Sequence, residues 1–412
     1  MLLRYSIANF MTFDEPVEVD FEADQRIGRL KTNLLDYGER KYLKTIGFFG
    51  PNNSGKTALL KALDALRKIM LGQTIDLDPC LLLNHNRLKK GDSVIRFEVS
   101  FSQGERRYDY AFGYDPTLPG HMVYEQLVQK GVDGALDIYS HGLGKAPKSD
   151  VDRFLPKMVD ALTITQPLIL MVGGKKNEAL DVVRKDFVAF AQSFYLFSPN
   201  AISRDEGLRI TAELLKEGGE AAKQITGFVK GADVHLDDLS LDPSLAKSER
   251  FNPLVLRTTY DGFSSPSVMA DSVGTIKIEA LAGLVYRTLK EGGVLVVDEL
   301  DSSLFFALSR SIVSLFNNVA NTSAQLLFSS HDLNLLDTRK LLRKEQIVFV
   351  TRKAHESPKL VPLSSFTAAE NGVRSIDDIE KKYIENVLVD LPNPSLIDLL
   401  LSINDDEEGS HG

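Results

Sequence analysis

The eight residues Gly50-Pro51-Asn52-Asn53-Ser54-Gly55-Lys56-Thr57 constrain this chain more than any other stretch. They satisfy the spacing G-x-x-x-x-G-K-[ST]. Upstream, Ile46-Gly47-Phe48-Phe49 reads as a short buried strand, and downstream Ala58 to Leu66 reads as a helix. A strand that enters a glycine turn and leaves it as a helix points several backbone N–H groups at one spot. There the helix dipole adds positive potential. That spot suits a triphosphate. The spacing predicts that Lys56 reaches the β- and γ-phosphates and that Thr57 sets its hydroxyl on Mg²⁺.

Three downstream segments supply the rest of a nucleotide site. Gly292-Gly293-Val294-Leu295-Val296-Val297-Asp298-Glu299 is an apolar, β-branched run ending in two carboxylates. Such a run reads as a fully buried parallel strand, and ligands of open α/β sheets bind beyond the carboxyl ends of strands. Asp298 is therefore placed to hold Mg²⁺ through water, and Glu299 to polarise an attacking water. Leu326-Leu327-Phe328-Ser329-Ser330-His331-Asp332 is a second apolar strand, ending in an imidazole that can meet a γ-phosphate. Finally, Asp271-Ser272-Val273-Gly274-Thr275 precedes a helical stretch from Ile276 to Leu289. Ser272 is the expected N-cap, and Gly274 lets backbone amides approach a phosphate. Each of these three has an ordinary structural explanation when taken alone. Their weight comes from sharing a chain with the phosphate loop.

In this order the four motifs resemble those of ABC-type ATPases of the SMC/RecF-like branch. The resemblance is nearest to the AAA family ATPases found beside abortive-infection and other anti-phage effector genes. Its carriers are Leu3-Arg4-Tyr5-Ser6-Ile7-Ala8-Asn9-Phe10, the phosphate (Walker A) loop, and Asp271 to Thr275 as the signature. Val297 to Leu304 resembles the Walker B strand with its D-loop, and Ser330-His331-Asp332 the switch histidine. Together they cover roughly residues 1–125 and 255–365.

The resemblance implies an α/β P-loop NTPase fold of ABC-ATPase type, with a mixed core sheet, an antiparallel β layer and a helical insertion. It implies ATP and Mg²⁺ as cofactors. Gly50, Pro51, Asn52, Asn53, Ser54, Gly55, Lys56 and Thr57 would hold the nucleotide, with Ser272, Gly274 and Thr275 offered by a second copy. Thr57 and Asp298 would hold the metal, and Glu299, His331 and Lys56 would carry catalysis. A homodimer or higher homo-oligomer would sandwich two ATP molecules, and a separate toxin or nuclease would be the controlled effector. Two positions depart from the family pattern. Met11 stands where a basic residue is usual, and Phe305-Phe306 where His-Pro is usual. Gln103, Gln126 and Gln129 all stay open as the Q-loop glutamine.

Composition fits a large soluble domain set, with 43% hydrophobic and 25% charged residues over 412 positions. The lone cysteine, Cys80, excludes an internal disulfide and points to a reducing, cytoplasmic setting. No apolar run has the length of a membrane span, and no secretory leader follows Met1. The net charge of −9 opposes indiscriminate nucleic-acid binding. The densest basic stretch is Arg26, Arg29, Lys31, Arg40, Lys41 and Lys44. It reads either as a solvated face or as a contact to ribose, base or nucleic acid.

The expected organisation has four pieces. Residues 1–130 carry the phosphate loop and antiparallel strands. Residues 131–250 form a helical insertion without coiled-coil heptads. Residues 251–365 return to α/β, and residues 366–412 end in a helix and an acidic tail. Alternative expectations are a RecF/SMC-like DNA-repair ATPase and a nucleotide-gated oligomeric scaffold with slow hydrolysis.

Overall fold

The computed structural model describes the chain except residues 74, 76–78, 119–121, 132–133, 143, 145, 162–163, 173–176, 233–234, 249, 354–355, 368–372, 375–376, 390 and 392–412. Its centre is a six-stranded sheet in the order Phe194–Phe197, Gly293–Val297, Ala324–Ser330, Thr45–Phe49, Ile347–Thr351, Lys359–Pro362. The first five strands are parallel and the last is antiparallel, so the sheet is mixed as expected.

The apolar runs form strands because both of their faces are covered. Every residue of Thr45–Phe49, Gly293–Val297 and Ala324–Ser330 is buried. Strand alternation then sends neighbours to opposite layers. Phe48, Val294, Val296 and Leu327 face one apolar core, whereas Phe49, Leu295, Leu326 and Phe328 face the other. The first core also takes in the helices Lys56–Met70 and Glu178–Gln192 and the inner face of a second sheet. The other takes in the helices Ala201–Glu217, Val273–Glu291 and Phe306–Phe316.

The second sheet is antiparallel, in the order Val17–Asp20, Leu2–Ala8, Ile95–Gln103, Arg106–Tyr114, Met122–Gly131, Gly134–His141. Buried Gln325 ties it to the core sheet. Its side chain accepts from Leu2 N at 2.8 Å and donates to Leu2 O at 2.9 Å and to Leu43 O at 3.2 Å.

Among the described residues, 131–250 hold the helices Leu155–Ala161, Glu178–Gln192, Ala201–Glu217 and Gly219–Gly231, but strands run among them. Gly134–His141 closes the antiparallel sheet and Phe194–Phe197 forms an edge of the core sheet. Asp238–Leu241 joins Leu256–Tyr260 and Phe263–Pro266 in a three-stranded sheet. A four-residue strand such as Phe194-Tyr195-Leu196-Phe197 shows no alternation to read, and here it follows a helix directly. Gly218 separates Ala201–Glu217 from Gly219–Gly231, its φ of 72° and ψ of −156° lying outside the helix region.

The last described helix is Ile379–Ile384, with the Asp378 side chain accepting from Lys381 N. Residues 375–376 ahead of it, the acidic tail and the Cys80 side chain lie outside the described residues. Among the described residues no helix is long and apolar enough to cross a membrane.

Candidate nucleotide site

The phosphate loop connects Thr45–Phe49 to Lys56–Met70 through backbone that few residues adopt. Gly50 has φ 153°, Asn53 φ 61° and Gly55 φ 112°. A Cβ on Gly50 would lie 2.2 Å from Val350 O, so only glycine fits there. Lys56 is buried, and its ammonium donates to Gly50 O at 2.8 Å and to Pro51 O at 3.0 Å. Burial lowers its pKa, against the opposing carboxylates of Asp298, Glu299 and Asp301. The buried Ser54 Oγ has no hydrogen-bond partner in the loop.

A cavity of about 360 Å³ opens over this loop. Asn52, Asn53, Ser54, Gly55, Lys56 and Thr57 line one side, and Asp298, Glu299, Ser329 and His331 the other. Met11 and Thr12 close a rim. The core sheet explains the meeting. Its strands Thr45–Phe49, Gly293–Val297 and Ala324–Ser330 are parallel neighbours, so the segments after their carboxyl ends gather at one sheet edge. Ser329 links the two acids. Its hydroxyl donates to Asp298 Oδ1 at 2.5 Å and accepts from Glu299 N at 2.7 Å. His331 N donates to Asp301 Oδ1 at 3.2 Å. Burial and the nearby Lys56 ammonium lower the His331 pKa against the pull of Asp301, Glu299 and Asp298. A neutral imidazole can both donate and accept there. The donor set fits a triphosphate with a hard cation. Loop amides and an ammonium face a hydroxyl, Thr57, and a carboxylate, Asp298.

A protein-family model described as "AAA domain, putative AbiEii toxin, Type IV TA system" matches residues 46–337, well over half of the chain. The chain belongs to this AAA-domain family. Among solved structures, the SMC head domain from Thermotoga maritima is 13% identical, with TM-score 0.42, covering 88% of this chain and 98% of that one. An SMC head bound to the C-terminal winged-helix domain of ScpA is 11% identical, with TM-score 0.48, covering 88% of this chain and 99% of that one. No curated protein matches the chain.

The matched span of this AAA domain also contains the signature-like turn, which does not line the cavity. Ser272 is the N-cap of helix Val273–Glu291, its Oγ accepting from Thr275 N at 3.1 Å, as expected from the sequence. Gly274 packs closely against Ser303, and a Cβ there would lie 2.4 Å from Ser303 O. Ser272, Gly274 and Thr275 are partly or fully exposed, so the turn is open to a second molecule. Gln103, Gln126 and Gln129 all sit in the antiparallel sheet, and none lines the cavity.

Sequence reasoning missed Ser329 and Lys277. Lys277 Nζ is buried and donates to Glu299 O at 2.7 Å, Ser302 O at 2.8 Å and Leu300 O at 3.1 Å. Burial pushes its pKa down to about 8, against Asp301, Glu299 and Asp298. The available signal was a charged pair inside the apolar run Ile276-Lys277-Ile278-Glu279-Ala280-Leu281. Lysine and glutamate are almost never fully buried without a partner.

The basic stretch ahead of the loop is largely engaged. Arg26 pairs with Asp24 at 2.8 Å, Arg40 with Glu22 at 2.8 Å and Lys41 with Asp36 at 2.6 Å. Lys44 Nζ is turned inward to Asn318 O at 2.8 Å. None of these residues lines the nucleotide cavity.

Proposed function

We propose that this domain binds MgATP at Gly50–Thr57 and Asp298 and hydrolyses it between two copies of the chain. The opening and closing of that pair would hold or release a separate toxin or nuclease during phage infection. The observation that carries the reading is the convergence of the phosphate loop, Asp298, Glu299 and His331 on one cavity. The family's association with toxin–antitoxin systems supports the defence role.

In this reading the loop amides and Lys56 hold the β- and γ-phosphates, while Thr57 and Asp298 hold Mg²⁺. Bound Mg²⁺ would neutralise charge developing on the phosphates. Glu299 orients a water for in-line attack, and His331 contacts the γ-phosphate. The exposed Ser272 and Gly274 of a second copy seal the site. Catalysis is then placement plus electrostatic stabilisation of the spread negative charge. A DNA-binding reading would call for a free basic surface, and the densest basic stretch is mostly spent on ion pairs and an inward lysine.

Phosphate release, calorimetry and light scattering test the proposal together. Lys56→Ala is expected to lose ATP affinity by about 100-fold or more. Glu299→Gln is expected to keep ATP affinity, lose about 100-fold in turnover, and double in mass when ATP is added. Turnover of Glu299→Gln at the wild-type rate removes Glu299 from the mechanism. A wild-type chain that assembles with ATP and hardly hydrolyses it would favour the scaffold alternative.

A further inference from the structure

A second cluster of polar side chains lies at the start of helix Val273–Glu291, outside the nucleotide cavity. Glu279 sits on the second turn of that helix and is 0% exposed, yet neither carboxylate oxygen has a hydrogen-bond partner. Asp271, just ahead of the Ser272 cap, also has an unpartnered buried oxygen, Oδ2. Ser267 opens the short helix Ser267–Ala270, and Thr258 lies on strand Leu256–Tyr260. Both are 0% exposed, and both hydroxyls are unpartnered. Ser267 and Asp271 lie beside the Glu279 carboxylate without closing a good hydrogen bond to it. Tyr260 neighbours Asp271, Glu279 and Thr258. The one charged group acting on Glu279 is Asp271, another acid.

A buried carboxylate beside a second acid and without a counter-charge is not stable as it stands. Burying an ionised carboxylate is costly unless it is paired or coordinates a metal. A proton placed between the two acids would satisfy part of this set. It would leave the second Glu279 oxygen and the Ser267 hydroxyl unaccounted for. A hard cation would neutralise both acids and draw on the Ser267 hydroxyl beside them. Carboxylate and hydroxyl oxygens are the ligands such ions select.

We propose that Glu279, Asp271 and Ser267 form a binding site for a hard metal cation. The ion ties the short helix Ser267–Ala270 to the base of helix Val273–Glu291. Ser272 and Gly274 lie between the two acids in sequence, so occupancy fixes the turn they form. The inference does not depend on the nucleotide reading.

Terbium(III) is the probe, because Tyr260 neighbours both acids and can sensitise its luminescence. Full-length, nucleotide-free protein is stripped with a chelator and titrated with terbium under tyrosine excitation. Saturable luminescence that Ca²⁺ displaces is expected, together with a rise in the melting midpoint on Ca²⁺ addition. Glu279→Gln should weaken terbium binding about tenfold or more, in line with the loss of one charged ligand. Asp298→Asn should leave it unchanged, which separates this site from the nucleotide's metal. Tyr260→Phe should dim the signal while keeping the Ca²⁺-induced stabilisation. Equal isotherms for wild type and Glu279→Gln overturn the proposal. So does a midpoint that ignores Ca²⁺ and falls between pH 6 and pH 8. Burial raises the Glu279 pKa to about 8. A proton-held pair would therefore lose stability as pH climbs from the ordinary carboxyl range toward that value.

Discussion

At the scale of single residues, Glu299 is held in an unusual pose by its neighbours. Its φ of 52° is left-handed, a conformation that non-glycine residues adopt rarely. Such a pose costs on the order of 1–3 kcal/mol and persists where surrounding bonds over-determine it. Two side chains do this here. Ser329 Oγ accepts from the Glu299 amide, and Lys277 Nζ gathers the carbonyls of Glu299, Leu300 and Ser302. Lys277 belongs to helix Val273–Glu291, so it joins the turn at Ser272–Thr275 to the backbone of Glu299, and under the proposed function it couples the two. Lys277→Met should lower turnover about tenfold or more while leaving ATP affinity within about twofold, since the lysine holds the Glu299 backbone from behind and does not itself line the cavity. Lys277→Arg should restore part of the turnover. Steady-state kinetics with calorimetric affinities check this. A variant whose affinity falls as far as its turnover would reduce Lys277 to a folding role.

At the scale of elements, the signature helix depends on its crossing with Ala201–Glu217. The two backbones approach at small residues. A Cβ on Gly207 would lie 2.8 Å from Ala280 O, and one on Gly283 would lie 2.5 Å from Thr211 Oγ1 and 2.7 Å from Thr211 N. The Thr211 hydroxyl donates to Glu279 O at 2.7 Å and accepts from Gly283 N at 3.0 Å. Gly283→Val should therefore destabilise the fold by about 1–3 kcal/mol, read as a lower denaturant midpoint. An unchanged midpoint would mean that the helices part freely. This crossing also marks where sequence legibility ends. The strands Thr45–Phe49, Gly293–Val297 and Ala324–Ser330 could be read because two-sided burial demands continuous apolar residues. Asp298, Glu299 and His331 followed, because parallel strands deliver their ends to one edge. The Gly207 and Gly283 contacts, the Phe194–Phe197 strand and the Lys277 clamp were hidden. The two glycine contacts and that strand depend on partners 70 or more residues away, and the Lys277 clamp on carbonyls 22 to 25 residues further on, in a chain where local periodicity shows only which face is apolar.

At the scale of the whole molecule, an exposed apolar surface surrounds the signature turn. Val273 is 73% exposed, and Phe305 and Phe306 are 63% and 47% exposed with ring centroids 4.5 Å apart. The contact between Gly274 and Ser303 sets that aromatic pair close to the signature. Phe305 and Phe306 thus present apolar area beside the turn. Aromatic anchors at the centre of an interface commonly cost 2 kcal/mol or more when truncated, about 30-fold in dissociation constant. The combined variant Phe305→Ala and Phe306→Ala, made in the Glu299→Gln background, should bind ATP as its parent does. Its ATP-dependent doubling in mass should need about 30-fold more protein, measured by light scattering over a concentration series. Doubling at the parental concentration would place the aromatic pair outside the contact. A parent that stays a single chain at saturating ATP would remove the paired-head reading itself, and with it the role given to Ser272 and Gly274.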